Sequence, residues 1–147
     1  RLIENYSGLA SKMKSYTAFV LIGFFASMGL PGFTGFIGEV LVFFGAFQSK
    51  LINGLIPSWM AITATFGLLL GAGYYLWTIQ RMFYGPYAVK HYPGELKDLN
   101  GREYSMLLPL AVAALVFGIL PQLLLNYINP FASEFVNHWF TPESLIP

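Results

Sequence analysis

Leu30-Pro31-Gly32-Phe33-Thr34-Gly35-Phe36-Ile37-Gly38-Glu39 is the stretch that decides the fold. It lies inside a long apolar segment and ends in the only charged side chain between Ser15 and Ser49. Proline has no backbone N–H and clashes with the preceding turn, and glycine adds backbone freedom, so a helix passing through must break. A carboxylate in hydrocarbon costs roughly 2.5–3.5 kcal/mol on insertion scales, so Glu39 needs a reason to be there.

The composition around this stretch is that of a membrane protein. Of 147 residues, 56% are hydrophobic and only 10% charged, and the mean hydropathy is +0.59. Soluble domains carry about a quarter charged residues. Charges leave three gaps, at residues 15–49 (interrupted by Glu39), 51–80 and 104–133. Each is longer than the roughly 20 apolar residues that cross a bilayer core. A net charge of +1 and the lack of a basic, aromatic-laced cluster argue against a nucleic-acid partner. The absence of cysteine excludes disulfides and cysteine ligation of iron–sulfur or zinc. The chain starts at Arg1 without a signal-peptide layout, which reads as a piece of a longer, split or processed chain.

The expected fold class is an all-α membrane protein with three transmembrane helices, the first discontinuous. Residues 1–14 read as a surface loop or a short amphipathic helix leading into the membrane, a solvated connector being the plainer reading. Residues 15–49 form the broken helix, with half-helices at about 16–28 and 36–48 and an unwound stretch around Gly29, Pro31, Gly32 and Gly35. Unwound backbone at membrane depth must face protein or water, because lipid cannot satisfy its N–H and C=O groups. Asn53-Gly54 marks a short turn, and Pro57 suits the start of the second helix, at 58–84. There Thr63, Gly67 and Gly71 form a small-residue row that lets helix backbones approach. Tyr74, Tyr75 and Trp77 lie toward its far end, and Arg81 and Tyr84 close it at the interface. Residues 85–103 are a polar loop punctuated by Pro86, Pro93-Gly94 and Asn100-Gly101, and His91 reads as a solvated loop histidine. The third helix covers 104–128, with Pro109 tolerated in its first turns and Pro121 kinking it. Residues 129–147 read as an interfacial, partly helical tail, with His138 at the surface.

Three spans put Arg1, Lys12, Lys14, Arg81, Lys90, Lys97 and Arg102 on one side and only Lys50 on the other. The N-terminus and the 85–103 loop therefore belong on the matrix or cytoplasmic side. A Ser-His-Asp set, a metal cluster and a phosphate-binding loop are all missing; the glycines of 29–38 follow no strand. Glu39 is the candidate for chemistry. It can be protonated, pair with a cation or line a wet cavity, and switching among these states is what a proton relay does. The break frees backbone groups to bind water and brings half-helix ends near the charge. The alternative is a structural role, as a static ion pair or a stabiliser of the break. The apolar spans contain no cationic partner.

Gly29-Leu30-Pro31-Gly32-Phe33-Thr34-Gly35-Phe36-Ile37-Gly38-Glu39, continuing to Gln48, closely resembles the broken twelfth helix of the antiporter-like subunits of respiratory complex I. The run from Tyr74 to Gly85 resembles the end of that family's next helix. Asp98-Leu99-Asn100-Gly101-Arg102-Glu103 followed by Leu107-Leu108-Pro109-Leu110 looks like the entry to its last core helix, and Gly118-Ile119-Leu120-Pro121 like the later part. Gly8-Leu9-Ala10-Ser11-Lys12-Met13 fits the lead-in. The position of Glu39 is a lysine in the chain 2 and chain 5 types and a glutamate in the chain 4 type (chain M in bacteria), so it points to the latter.

The resemblance implies the last three helices of a proton-translocating subunit of NADH:ubiquinone oxidoreductase, with Glu39 in the outlet-side half-channel. It implies no cofactor in this chain, with FMN, iron–sulfur clusters and ubiquinone elsewhere in the complex. The implied partners are other membrane-arm subunits, including neighbouring antiporter-like subunits and the missing N-terminal part of the same subunit, and lipid. The Asp98–Glu103 run resembles mitochondrial versions more than bacterial ones, which favours the mitochondrial inner membrane over a bacterial plasma membrane. A full chain of the family has about fourteen spans in two inverted repeats. The first repeat's glutamate and lysine and the second's central lysine or histidine are not in these 147 residues, so a complete proton path needs residues from outside them. A multisubunit cation/proton antiporter, a membrane-bound hydrogenase and a passive scaffold stay open as alternatives.

Overall fold

The computed structural model of the chain describes residues 3–52, 57–90 and 96–140. After a 3-10 turn at Ile3–Asn5 and a short strand β1 (Tyr6–Ser7), the order is α1 (Leu9–Lys12), α2 (Lys14–Ser27), α3 (Thr34–Ile52), α4 (Ser58–Phe83), β2 (Ala88–Val89), α5 (Gly101–Ile119) and α6 (Gln122–Phe140). α2 and α3 are the two halves of the broken helix, close to the expected bounds, with α3 running about a turn further. α3 lies between α4 and α5, and α2 packs on α5. α4 and α5 are long and apolar enough to cross a membrane, and Thr34–Gln48 is a shorter apolar helix. Only 11% and 6% of the apolar windows of α4 and α5 are buried inside the chain, whereas the core helix of a soluble protein would be mostly buried. Their apolar faces suit lipid and protein neighbours instead.

The amino-terminal segment is more than a solvated connector. β1 pairs antiparallel with β2, Tyr6 opposite Val89 and Ser7 opposite Ala88, and the Lys90 N–H donates to the Asn5 carbonyl at 3.0 Å. Gly8 has φ 65°, and a side chain there would collide with the backbone of Gly85, Pro86 and Tyr87. Its neighbour Leu9 is buried, as are Ile79 and Phe83 at the end of α4. The polar loop thus grips the lead-in to α2. Asp98 completes the grip. Its carboxylate accepts the N–H groups of Ser15 at 2.8 Å and Tyr16 at 3.0 Å, in the first turn of α2. A helix start leaves such donors unsatisfied, and Met13 at the N-cap position gives no side-chain cap.

The third apolar segment departs from a single kinked span over 104–128. α5 begins at Gly101, because Asn100 accepts the Glu103 N–H while the Glu103 carboxylate accepts the Asn100 N–H, a capping box. Pro109 therefore lies in the helix interior rather than its first turns. Leu120 precedes Pro121, which disfavours helical backbone, and it adopts φ −118° and ψ 64°. The helix stops there and restarts as α6, which runs through much of the expected tail to Phe140. The row Gly67/Gly71 meets no other part of the described chain: no heavy atom lies within 4 Å of a side chain built at either. The Asn53-Gly54 turn, His91, Pro93-Gly94 and residues 141–147 lie outside the described residues, as do Arg1 and Leu2.

Candidate functional site: the helix break and Glu39

α2 ends in a Schellman motif. Gly29 takes the left-handed conformation at φ 69°, the Leu30 N–H donates to the Phe25 carbonyl at 3.1 Å, and the Gly29 N–H donates to Ala26 at 3.4 Å. Pro31 follows, where the helix can no longer continue. Gly32 takes φ 97°, the Phe33 N–H donates to the Leu30 carbonyl at 3.1 Å, and α3 begins at Thr34. The break is thus a compact reverse turn with several of its own backbone bonds closed.

Two glycines let the half-helices meet. A side chain at Gly35, in the first turn of α3, would collide with the Ala26 carbonyl in the last turn of α2. Glu39 is one turn beyond Gly35, on the same face of α3. Its carboxyl group occupies the space a side chain at Gly29 would take. The glutamate is half-buried, and among the described residues no hydrogen bond or ion pair engages its carboxylate. Three of the four residues read as helix-breaking therefore have distinct tasks. Gly29 and Gly32 supply left-handed backbone, and Gly29 and Gly35 also supply room. Pro31 is exposed in the turn.

The break is fastened by α5, a contact that sequence reasoning missed. Thr34 Oγ1 donates to the Ala114 carbonyl at 2.8 Å. One turn later Gly118 is buried, and a side chain there would overlap the Gly32 carbonyl and Phe33. Ala114 and Gly118 are thus the small residues on which the turn sits. The available signal was weak: Ala114 and Gly118 are one turn apart, but Ala111 and Ala113 are small as well. Earlier along α2, Phe24 packs on Tyr75 of α4 with ring centroids 5.1 Å apart. Among the described residues no group of three His, Asp or Glu side chains could hold a metal. His138 lies in the exposed part of α6.

Residues 1–71 match the family NADH:quinone oxidoreductase/Mrp antiporter, transmembrane. The chain is similar to NADH-quinone oxidoreductase subunit M of Rhodobacter capsulatus, 33% identical over 95% of this chain and 26% of the relative. It is similar to NADH-ubiquinone oxidoreductase chain 4 of Chondrus crispus, 35% identical over 94% of this chain and 27% of the relative. It is also similar to F(420)H(2) dehydrogenase subunit M of Methanosarcina mazei, 36% identical over 86% of this chain and 24% of the relative. The chain spans about a quarter of the length of these curated relatives.

Proposed function

We propose that the chain, whose residues 1–71 match the NADH:quinone oxidoreductase/Mrp antiporter transmembrane family, forms part of a proton-translocating membrane-arm subunit of NADH:ubiquinone oxidoreductase, of the chain 4 type. Glu39 is the proton-carrying group. The observation that carries this reading is its carboxyl group, set against the turn of a broken helix in an apolar chain, with no counter-charge among the described residues. Such a carboxyl can take a proton at one oxygen from a donor or water and release it to another, while the turn keeps backbone groups within reach. Gly29, Pro31, Gly32 and Gly35 hold the break that makes this possible. Glu39 acts with ionisable groups of the remaining spans and neighbouring membrane-arm subunits. The redox steps, with FMN, iron–sulfur clusters and ubiquinone, fall to other subunits. The N-terminus and the 85–103 loop face the matrix or cytoplasm, and the membrane is the mitochondrial inner membrane or a bacterial plasma membrane.

The test is Glu39→Gln in the assembled complex. Quinone reduction and assembly should persist while protons pumped per electron pair fall. Full pumping by an assembled Glu39→Gln complex would overturn the role, and full pumping by Glu39→Leu would favour a passive scaffold. The similarity to an F(420)H(2) dehydrogenase subunit supports a second reading, the same membrane module driven by another electron donor. Mass spectrometry of the native complex separates the two by the electron-input subunits that copurify.

A further inference from the structure

A second feature lies at the carboxyl-terminal end of α4, and Glu39 is not among the residues that line it. Where α4 meets the β1–β2 clasp there is an open cavity of ≈700 Å³. Arg81 and Lys90 line it, against the single carboxylate of Glu4. Neither cation is in an ion pair among the described residues. The Arg81 guanidinium lies 5.2 Å from the centre of the Trp77 ring. A cation held over a ring keeps its edge N–H groups directed outward, in the planar array that matches phosphate oxygens. Tyr84, Ser7 and Gln80 add neutral polar residues to the wall, the Ser7 hydroxyl donating to the Tyr84 carbonyl at 3.5 Å. The lining is therefore one that recognises a phosphate monoanion.

A second, independent observation tells which phosphate. Phe66, Leu70, Tyr74 and Trp77 are 61%, 76%, 60% and 46% exposed. Their spacing of four, four and three puts them on one face of α4, and Arg81 continues that face at the next four, with Tyr84 just past the end of the helix. The line from Arg81 to Phe66 is about 22 Å long, more than one leaflet's half of a core about 30 Å thick. An aromatic and basic end joined to a long apolar stripe is the layout of a lipid seat, with the headgroup at the interface and acyl chains along the helix.

We propose that the cavity between α4 and the β1–β2 clasp binds the phosphate of an anionic glycerophospholipid, whose acyl chains lie along the Phe66–Trp77 stripe. Arg81 and Lys90 hold the phosphodiester, and Trp77 and Tyr84 set its depth. A free phosphate ion would use the same cations but gain nothing from the stripe. The site rests on the membrane reading but not on any role of Glu39.

The test uses the intact complex, stripped of lipid in mild detergent and titrated separately with short-chain phosphatidylglycerol, phosphatidylcholine and inorganic phosphate. Binding is followed by native mass spectrometry of the subunit. Phosphatidylglycerol should bind in preference to phosphatidylcholine, and Arg81→Gln/Lys90→Gln should weaken it about 30-fold, from about one factor of five for each basic residue near an anionic headgroup. Leu70→Asn should weaken phosphatidylglycerol and leave inorganic phosphate unchanged. Lys90→Gln alone, in an exposed loop position, keeps the test open if the double variant does not assemble. Equal binding of both lipids, or unchanged phosphatidylglycerol affinity in Lys90→Gln, overturns the site. Inorganic phosphate binding as tightly as phosphatidylglycerol overturns the lipid as its ligand. Glu39→Gln should leave every one of these affinities unchanged, which separates this result from the pumping experiment.

Discussion

The carboxyl group of Glu39 rests against the α-carbon of Gly29, across the break between α2 and α3. Two demands meet at Gly29. Its backbone is left-handed at φ 69°, which disfavours any side chain, and the space a side chain would fill is taken by the glutamate. The residue that ends the first half-helix therefore also sets where the charged group of the second half can sit.

Gly29→Ala should fail on both counts. Left-handed alanine costs about 1–2 kcal/mol, and the new methyl displaces the carboxyl group as well. The purified complex should melt earlier, and proton pumping should fall although Glu39 is present. Gly29→Asn separates the two effects, since asparagine tolerates left-handed backbone but still carries a β-carbon. It should recover much of the thermal stability and little of the pumping.

Gly118→Ala tests the fastening from α5. Here the backbone is ordinary helix, and the conflict is with the Gly32 carbonyl and Phe33. Overpacking of this kind costs about 1–3 kcal/mol. A helix-favouring substitution should thus lower the melting temperature, the reverse of what propensity alone expects.

Thr34→Val removes the hydroxyl that donates to Ala114 while keeping the shape. The expected loss is about 0.5–1.5 kcal/mol. Thr34 and Gly118 act on the same turn, so their losses should not add. A double-mutant cycle on thermal stability measures the coupling, and strict additivity would show that the turn is not held as one unit.

Asp98 gives a pH prediction. Backbone hydrogen bonds from Ser15 and then Tyr16 lower its pKa from 3.8 to about 2, and one from Leu99 acts in the same direction. A depressed carboxylate contributes stability above its unfolded value and loses it as pH falls through the folded one. The anchor should therefore be constant from pH 5 to 8 and fade between about pH 4 and 2. Amide exchange in the peptide containing Ser15 and Tyr16, corrected for intrinsic rates, should quicken across that acid window. Asp98→Asn should quicken it already at pH 7.

Asn100→Ala removes the capping box of α5. The expected cost is about 1 kcal/mol, within the 0.5–2 range of N-cap losses. Glu103→Gln, which keeps a side chain able to accept the Asn100 N–H, should cost less. Thermal melts of the purified complex compare the two.

What could be read without coordinates was local in origin. Glycine and proline around Gly29–Gly35 act on their own backbone, so the site of the break was visible, and an isolated charge in an apolar run picked out Glu39. The capping box at Asn100 was equally local. Asn100-Gly101 reads as a turn signal until Glu103 is counted with it, and so α5 starts three residues before residue 104. The effect of Pro121 was visible too, but whether a helix kinks or ends depends on how the backbone of Leu120 settles, and here it ends.

By itself, then, the sequence determined a membrane chain, a broken helix and a single charge beside the break, because hydropathy and backbone freedom are properties of neighbouring residues. Only the tertiary structure decided what each piece rests on. Gly118 under Gly32, Thr34 on Ala114 and Asp98 on Ser15 join residues some 80 positions apart. No local preference encodes such pairs, since each forms only where folded helices bring a small residue, a carbonyl or an unsatisfied N–H within reach.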